Sequence, residues 1–210
     1  MSIQKLSRPQ YWITNESIEA TVNALDIKKD DSIISVCGSF DLPASFSEFT
    51  HEEIVTFDKN LAQLELGKYR QEILKRKRFN KFYEKSPFYQ THTQVRLTRD
   101  NYFKQANRLS NISKKVGQVR LIHSSVEGLE LRDKFSIAYL SNIPITPNLV
   151  KSVNAHLVQD GKISFCILNV DKKDFQIPDS WELDIKRTQK SYKENLKKSI
   201  WYHMVCRYKS

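Results

Sequence analysis

The sequence predicts an α/β fold: a doubly wound, mostly parallel sheet with helices on both faces and an antiparallel strand pair at the carboxyl end. Three observations lead there. Short apolar, β-branched runs recur at 32–39, 53–58, 119–125, 135–143 and 162–170, the length expected of buried strands. Stretches of helical periodicity separate them, as parallel strands need a crossover between each pair. The last two runs, 181–188 and 200–208, are joined only by a polar stretch without a strong apolar stripe, which suggests an antiparallel pair.

The helices follow from their caps and stripes. Thr14 or Asn15 caps a helix from Glu16 to about Leu25, with Ile18, Val22 and Leu25 on one face. Pro43 suits the first position of a short helix through Phe49, where its missing N–H costs nothing. Asn60 caps a longer helix whose stripe is Leu61, Leu64, Leu66, Tyr69 and Ile73 and whose far end is the basic run 75–78. Residues 99–115 read as one helix stopped by Gly117, and a helix from Thr146 and Pro147 is ended by Gly161. The aromatic, basic stretch 79–98 takes no firm assignment.

Length and composition narrow the class. At 210 residues the chain reads as one domain, 1–210, with a basic helical insertion at about 68–115. Its longest apolar runs, such as 163–170, fall far short of the roughly 20 residues that span a bilayer. The first residues lack the apolar core of a secretory signal, so the expected location is cytoplasmic. Cys37, Cys166 and Cys206 are scattered within apolar runs and suit a reducing compartment. No histidines or cysteines fall at metal-ligand spacing, so no metal is expected. The net charge of +10 is concentrated: residues 68–115 hold fourteen Lys and Arg against three acids, +11, and the rest of the chain −1. Such a field attracts anionic partners, nucleic acid among them, or is a solvated helical face.

A parallel sheet binds ligands at the carboxyl ends of its strands, beside the switch in strand order. The residues there are Gly38, Ser39 and Asp41 after the first strand, Asp58 after the second, Ser124, Ser125 and Val126 after the third, and Ser141 and Asn142 after the fourth. Gly38 lets backbone approach a ligand. Asp58 follows Gly38 by twenty residues, the spacing at which a carboxylate accepts from ribose hydroxyls. The competing readings are that Asp58 caps the next helix and that Asn142 starts the turn before Pro144.

The runs Ser35 to Asp41, Thr56 to Asn60 (with Lys59 beside Asp58), Gln63 to Leu66 with Lys68, and Tyr139 to Ile143 resemble, in that order, the signatures of the aminocarboxypropyl transferases of betaine-lipid synthesis. That family is an offshoot of the Rossmann-like class I S-adenosylmethionine-dependent methyltransferases. The likeness covers about 11–170. It implies that Gly38 and Ser39 line the methionine part, Asp58 with Lys59 the ribose end, Ser125 and Val126 the adenine, and Ser141 and Asn142 the transferred group, with Tyr11 and Trp12 closing the pocket. It departs from the pattern at Phe40, where a second glycine is usual, and at Ser125, where an acid is common.

The resulting expectation is an S-adenosylmethionine-dependent transferase, of methyl or aminocarboxypropyl groups, on a small-molecule or lipid acceptor that the sequence does not identify. Asp41, Tyr139 and Asn142 are the positional candidates for catalysis, while His123 reads as a strand residue. One alternative is a nucleic-acid methyltransferase using the basic segment with Phe79, Phe82, Tyr83, Phe88 and Tyr89 as stacking surfaces. Another is a non-catalytic module that has kept the fold and lost the cofactor. Neither acceptor nor oligomeric state is legible in the sequence.

Overall fold

The computed structural model describes residues 9–12, 14, 16–83, 99–141, 143–168, 176–195 and 201–209. Its seven strands are β1 (Ile33–Val36), β2 (Ile54–Asp58), β3 (Val119–His123), β4 (Phe135–Leu140), β5 (Leu157–Leu168), β6 (Trp181–Leu183) and β7 (Trp201–Tyr208). They form one sheet in the order β3-β2-β1-β4-β5-β7-β6. The ladders β3–β2, β2–β1, β1–β4 and β4–β5 are parallel. β7 runs antiparallel to both β5 and β6. The order reverses between β1 and β4, which opens a crevice at the carboxyl ends of those strands.

Helices α1 (Ile18–Leu25), α2 (Asp41–Phe46), α3 (Leu61–Lys75), α4 (Phe79–Phe82), α5 (Arg108–Lys115), α6 (Pro147–Ala155) and α7 (Ile185–Asn195) cover both faces, with a further helical segment at 99–103. Alternate strand residues are therefore buried in opposite directions. Ile33, Ile54 and Ile137 join one core with Leu25, Phe40, Phe46, Leu64 and Ile73. Ile34, Val55 and Ala138 join the other with Val126, Leu149, Val153 and Trp181. Burial on both sides is why these strands read as continuous apolar runs rather than as alternation.

Several local expectations change. α1 is capped by Ser17, whose Oγ accepts from Ala20 N (3.2 Å); Thr14 is drawn elsewhere, and Asn15 lies outside the described residues. α2 begins at Asp41 rather than Pro43, because Phe40 is left-handed at φ +66 and turns the chain into the helix two residues early. Within α3 the stripe rotates: Leu61 and Tyr69 are exposed while Gln63 and Arg70 are buried. The expected 99–115 helix breaks before Arg108, at a left-handed Asn107 (φ +64). α6 stops at Ala155, and Gly161 lies inside β5, where an added Cβ would come within 2.9 Å of Val158 O. Of 181–188 only Trp181–Leu183 is strand; Ile185, 60% exposed, opens α7, which packs on α1.

The most tightly bound polar centre is Asp41, wholly buried at the start of α2. Its Oδ1 accepts from Arg70 Nη1 (3.0 Å) and Arg99 Nε (2.9 Å), and its Oδ2 from Thr14 N (3.0 Å) and Ser39 Oγ (2.8 Å). All four acceptor positions of the carboxylate are filled. The guanidinium groups continue the network, Arg70 to the carbonyls of Ser39 and Trp12, Arg99 to Asp100 and the carbonyl of Phe82. Both lie over the Phe82 ring, at 5.7 and 4.4 Å from its centroid. Burial alone would raise the Asp41 pKa, but Arg99 and Arg70 outweigh it and hold the group below the usual carboxylate range. Asp41 is thus fixed as an ion, and its expected place as a proton acceptor is corrected: neither oxygen is available.

Replacing Asp41→Asn leaves two buried guanidinium groups short of their counter-charge. The expected loss is about 3–5 kcal/mol in urea unfolding at pH 7. Because the native pKa is depressed, this contribution is complete above the unfolded value of about 3.9 and lost as pH falls through the native one; the difference between variant and parent therefore shrinks on acidification.

Candidate functional site

The crevice at the strand-order switch holds a cavity of about 440 Å³, within the roughly 300–1,000 Å³ usual for small-molecule sites. The floor is the turn after β1. Cys37 N extends the ladder to Phe57 O (2.7 Å), and Phe40 N closes a turn onto Cys37 O (2.8 Å). Gly38 is left-handed at φ +47, and an added Cβ there would meet no atom within 4 Å. Its glycine is required by the backbone, and the space beside it is open to a ligand. Phe40, where a second glycine is usual in the resembled family, turns its ring into the core and is fully buried.

Asp58 ends β2 on the cavity wall. Its carboxylate accepts from Asn60 N (2.9 Å) and from the Gly38 backbone N–H. Asn60, not Asp58, caps α3, with its side chain accepting from Ala62 N. Burial raises the Asp58 pKa against those two hydrogen bonds. The end of β3 sits alongside: Ser124 N donates to Asp58 O (3.2 Å), and His123 Nε2 lies 3.1 Å from Lys59 O. His123 is thereby a strand residue bracing the neighbouring turn.

The far wall comes from β4 and from the segment before α1. Tyr139 and Ser141 face a carboxyl group that the sequence did not single out, that of Glu16. Tyr139 Oη donates to Glu16 Oε2 (2.6 Å), Thr14 Oγ1 to the same oxygen (3.0 Å), and Ser141 Oγ to Oε1. Burial pushes this carboxyl up, against the hydrogen bonds of Tyr139, Thr14 and Cys166. Tyr139 is itself pushed well up by burial.

A strap of residues 10–12 and 14 crosses one side, held by two buried polar side chains on α3. Gln63 Oε1 accepts from the N–H groups of Gln10 and Tyr11 (3.0 Å each), and its Nε2 donates to the carbonyls of Tyr11 (2.6 Å) and Gly38. One turn-pair further along the same face, Arg70 holds Trp12 O. Tyr11 lines the cavity, half-buried.

Of the residues expected from sequence, Tyr11, Gly38, Ser39, Asp58, Lys59, Ser125, Val126, Tyr139 and Ser141 all line this one cavity. Asp41 does not, and Asn142 lies outside the described residues. Glu16, Gln63 and Arg70 were missed. The last two left a signal, long polar side chains seven residues apart on an otherwise apolar helical face; Glu16, just ahead of a helix, reads as an ordinary first-turn acid.

The described parts of the basic span, 68–83 and 99–115, belong to the connection from β2 to β3, and none of their residues lines the cavity. Their charges are dispersed: Arg70 and Arg99 are buried on Asp41, while Lys68, Arg76 and Arg108 pair with Glu65, Glu72 and Glu48. The run 75–78 lies beyond the end of α3, roughly 22 Å along the helix from the cavity end at 1.5 Å per residue. Of the aromatics expected beside it, Phe82 is buried, and Phe88 and Tyr89 lie outside the described residues. Among the described residues no helix is long and apolar enough to cross a membrane, and no three His, Cys, Asp or Glu side chains form a metal-binding group. The three cysteines are free and buried.

No protein-family model matches the chain, and no curated protein matches it in sequence. Solved structures do match in fold. A SAM-dependent methyltransferase from Thiobacillus denitrificans, in complex with S-adenosyl-L-homocysteine, aligns over 100% of both chains at 11% identity and TM-score 0.55. The ribosomal protein L11 methylase of Lactobacillus delbrueckii subsp. bulgaricus aligns over 92% of this chain and 79% of its own, at 10% identity and TM-score 0.56. The tRNA (m1A58) methyltransferase TrmI of Aquifex aeolicus aligns over 98% of this chain and 73% of its own, at 10% identity and TM-score 0.55. Other neighbours are longer, and the chain spans about half of them, 50% and 52% in two cases. The fold is the Rossmann-like α/β fold of the S-adenosylmethionine-dependent methyltransferases.

Gln63→Ala removes four hydrogen bonds between the strap, α3 and the glycine turn. Amide exchange at Gln10 and Tyr11 is expected to accelerate strongly, while exchange in β1 and β4 stays as in the parent, which hydrogen-exchange mass spectrometry resolves.

Proposed function

We propose that the chain, as one 1–210 domain, is an S-adenosylmethionine-dependent methyltransferase whose cofactor occupies the crevice between β1 and β4. The observation that carries this reading is that the Gly38 turn and the Asp58 carboxylate lie on the wall of one cavity. It puts an open, left-handed glycine beside an acid at the next strand end, an arrangement suited to a nucleoside with a charged tail. In this reading Asp58 accepts from the ribose hydroxyls with Lys59 flanking. Ser125 and Val126 hold the adenine, and Gly38, Ser39 and Tyr11 the methionine part; Ser141 faces the transferred group.

When bound, the cofactor supplies an electrophilic carbon on a sulfonium that departs as a neutral thioether with the C–S electron pair. The protein's part is orientation and exclusion of water. The apolar side chains of Val36, Leu42, Phe57 and Ile143 wall the cavity, and the strap over α3 narrows its mouth. Neighbours named as methyltransferases favour methyl transfer over the aminocarboxypropyl transfer of the betaine-lipid family, which remains the second reading on the strength of the sequence resemblance alone. A nucleic-acid acceptor draws less support, because the basic run 75–78 lies at the pole away from the cavity. A scaffold without cofactor is countered by the open cavity, which the protein's own aromatics do not fill.

Isothermal calorimetry with S-adenosylhomocysteine tests this directly. One molecule is expected to bind per chain, and Asp58→Ala is expected to weaken binding about tenfold or more, about 1.4 kcal/mol. Binding of NAD in its place, or of neither, would overturn the assignment.

A further inference from the structure

Glu16 occupies the point where the cavity meets the carboxyl end of β4. It is 6% exposed and forms part of the cavity wall. Hydroxyl groups of Thr14, Tyr139 and Ser141 donate to its two oxygens, and Cys166 of β5 adds a fourth hydrogen bond. Burying a carboxyl group is costly even when it is hydrogen-bonded, and this one is not used to cap α1, which takes its cap from Ser17. The carboxyl is held by side chains from three separate elements, the strap, β4 and β5, so its position is fixed independently of α1.

Resting on the cofactor reading above, we infer that Glu16 fixes a carboxylate beside the transferred group and that the acceptor substrate is an amine. With adenine at Ser125 and Val126 and ribose at Asp58, the reacting end of the cofactor falls toward Ser141, Tyr139 and Glu16. Transfer to a neutral amine moves positive charge from sulfur to nitrogen, and a carboxylate fixed beside that nitrogen stabilises the change. The same carboxylate repels carboxylate and phosphate nucleophiles. The nitrogen lone pair forms the bond to the methyl carbon and the C–S bond breaks with its pair left on sulfur. One N–H bond then breaks, with the pair kept by nitrogen and the proton leaving to solvent water. Donation from three hydroxyls keeps the carboxylate in one orientation while charge develops on the nitrogen.

Burial pushes the Glu16 carboxyl upward, against the hydrogen bonds of Tyr139, Thr14 and Cys166. The titratable groups around it are Tyr139 on β4 and Cys166 on β5, both pushed well up by burial, and Tyr11 on the strap, also raised. Behind Tyr139 lies His203 on β7, its ring centroid 6.4 Å away, pushed down by burial to about 4 and so neutral.

The probes are S-adenosylhomocysteine and sinefungin, an analogue that carries a charged amine where the transferred methyl group would sit. In the native chain sinefungin is expected to bind about tenfold more tightly than S-adenosylhomocysteine at pH 8. Glu16→Gln should bring the two to parity while leaving S-adenosylhomocysteine unchanged. Should that variant not fold, the native chain alone decides: sinefungin binding no tighter than S-adenosylhomocysteine at pH 8 overturns the inference. Equal weakening of both ligands in a folded Glu16→Gln, or a preference that survives the substitution, overturns the inference and leaves the cofactor reading standing. Failure of both ligands to bind the native chain overturns the cofactor reading and this inference with it.

Discussion

The arrangement of the site depends on one buried carboxylate held by two guanidinium groups. Asp41 gathers Arg70 from α3, Arg99 from the segment before α5, Thr14 from the strap and Ser39 from the glycine turn into a single dry network. Four pieces of chain far apart in sequence are thus fixed relative to one another. Buried ion pairs seldom add net stability over apolar packing, yet removing one partner is expensive. The network therefore works as a specificity device: it permits one placement of the strap and of the turn after β1, and penalises others.

That placement is what shapes the cavity. The left-handed Gly38 and Phe40 send the turn below the crevice, and Phe40 anchors it by burying its ring in the core shared with Ile33 and Leu64. A left-handed conformation at a non-glycine residue costs roughly 1–2 kcal/mol, which that aromatic burial offsets. Gln63 then bridges the turn and the strap with its single amide, accepting on the oxygen and donating from the nitrogen. On the buried face of α3, Gln63 and Arg70 act as a clamp while their apolar neighbours build the core.

Charge is used locally rather than as a field. The strongly basic span appears in the sequence as a candidate surface for anions. In the fold its two most buried members neutralise Asp41, several others meet glutamates, and Lys115 reaches the carbonyls of Glu48 and Thr50. The exposed run 75–78 lies at the end of α3 away from the cavity. A count of lysines and arginines therefore overstates how much positive potential the cavity experiences.

The sheet was legible because its strands are buried on both faces, and such burial demands the unbroken apolar runs at 33–36, 54–58 and 135–140 that any periodicity reading finds. The strand ends that carry Gly38, Asp58, Ser125 and Ser141 were legible for the same reason, since a doubly wound sheet brings consecutive strand tips to one crevice. Helix boundaries were less so: Ser17 rather than Thr14, Asp41 rather than Pro43 and the break before Arg108 each turn on a tertiary hydrogen bond or a left-handed residue that composition does not announce. By itself the sequence determined the alternation of strands and helices and the positions of their tips. Only the tertiary structure decided that Asp41 is a structural ion and Glu16 a wall of the cavity, because the difference between two carboxylates lies in which distant donors surround them, and that is set when the chain closes on itself.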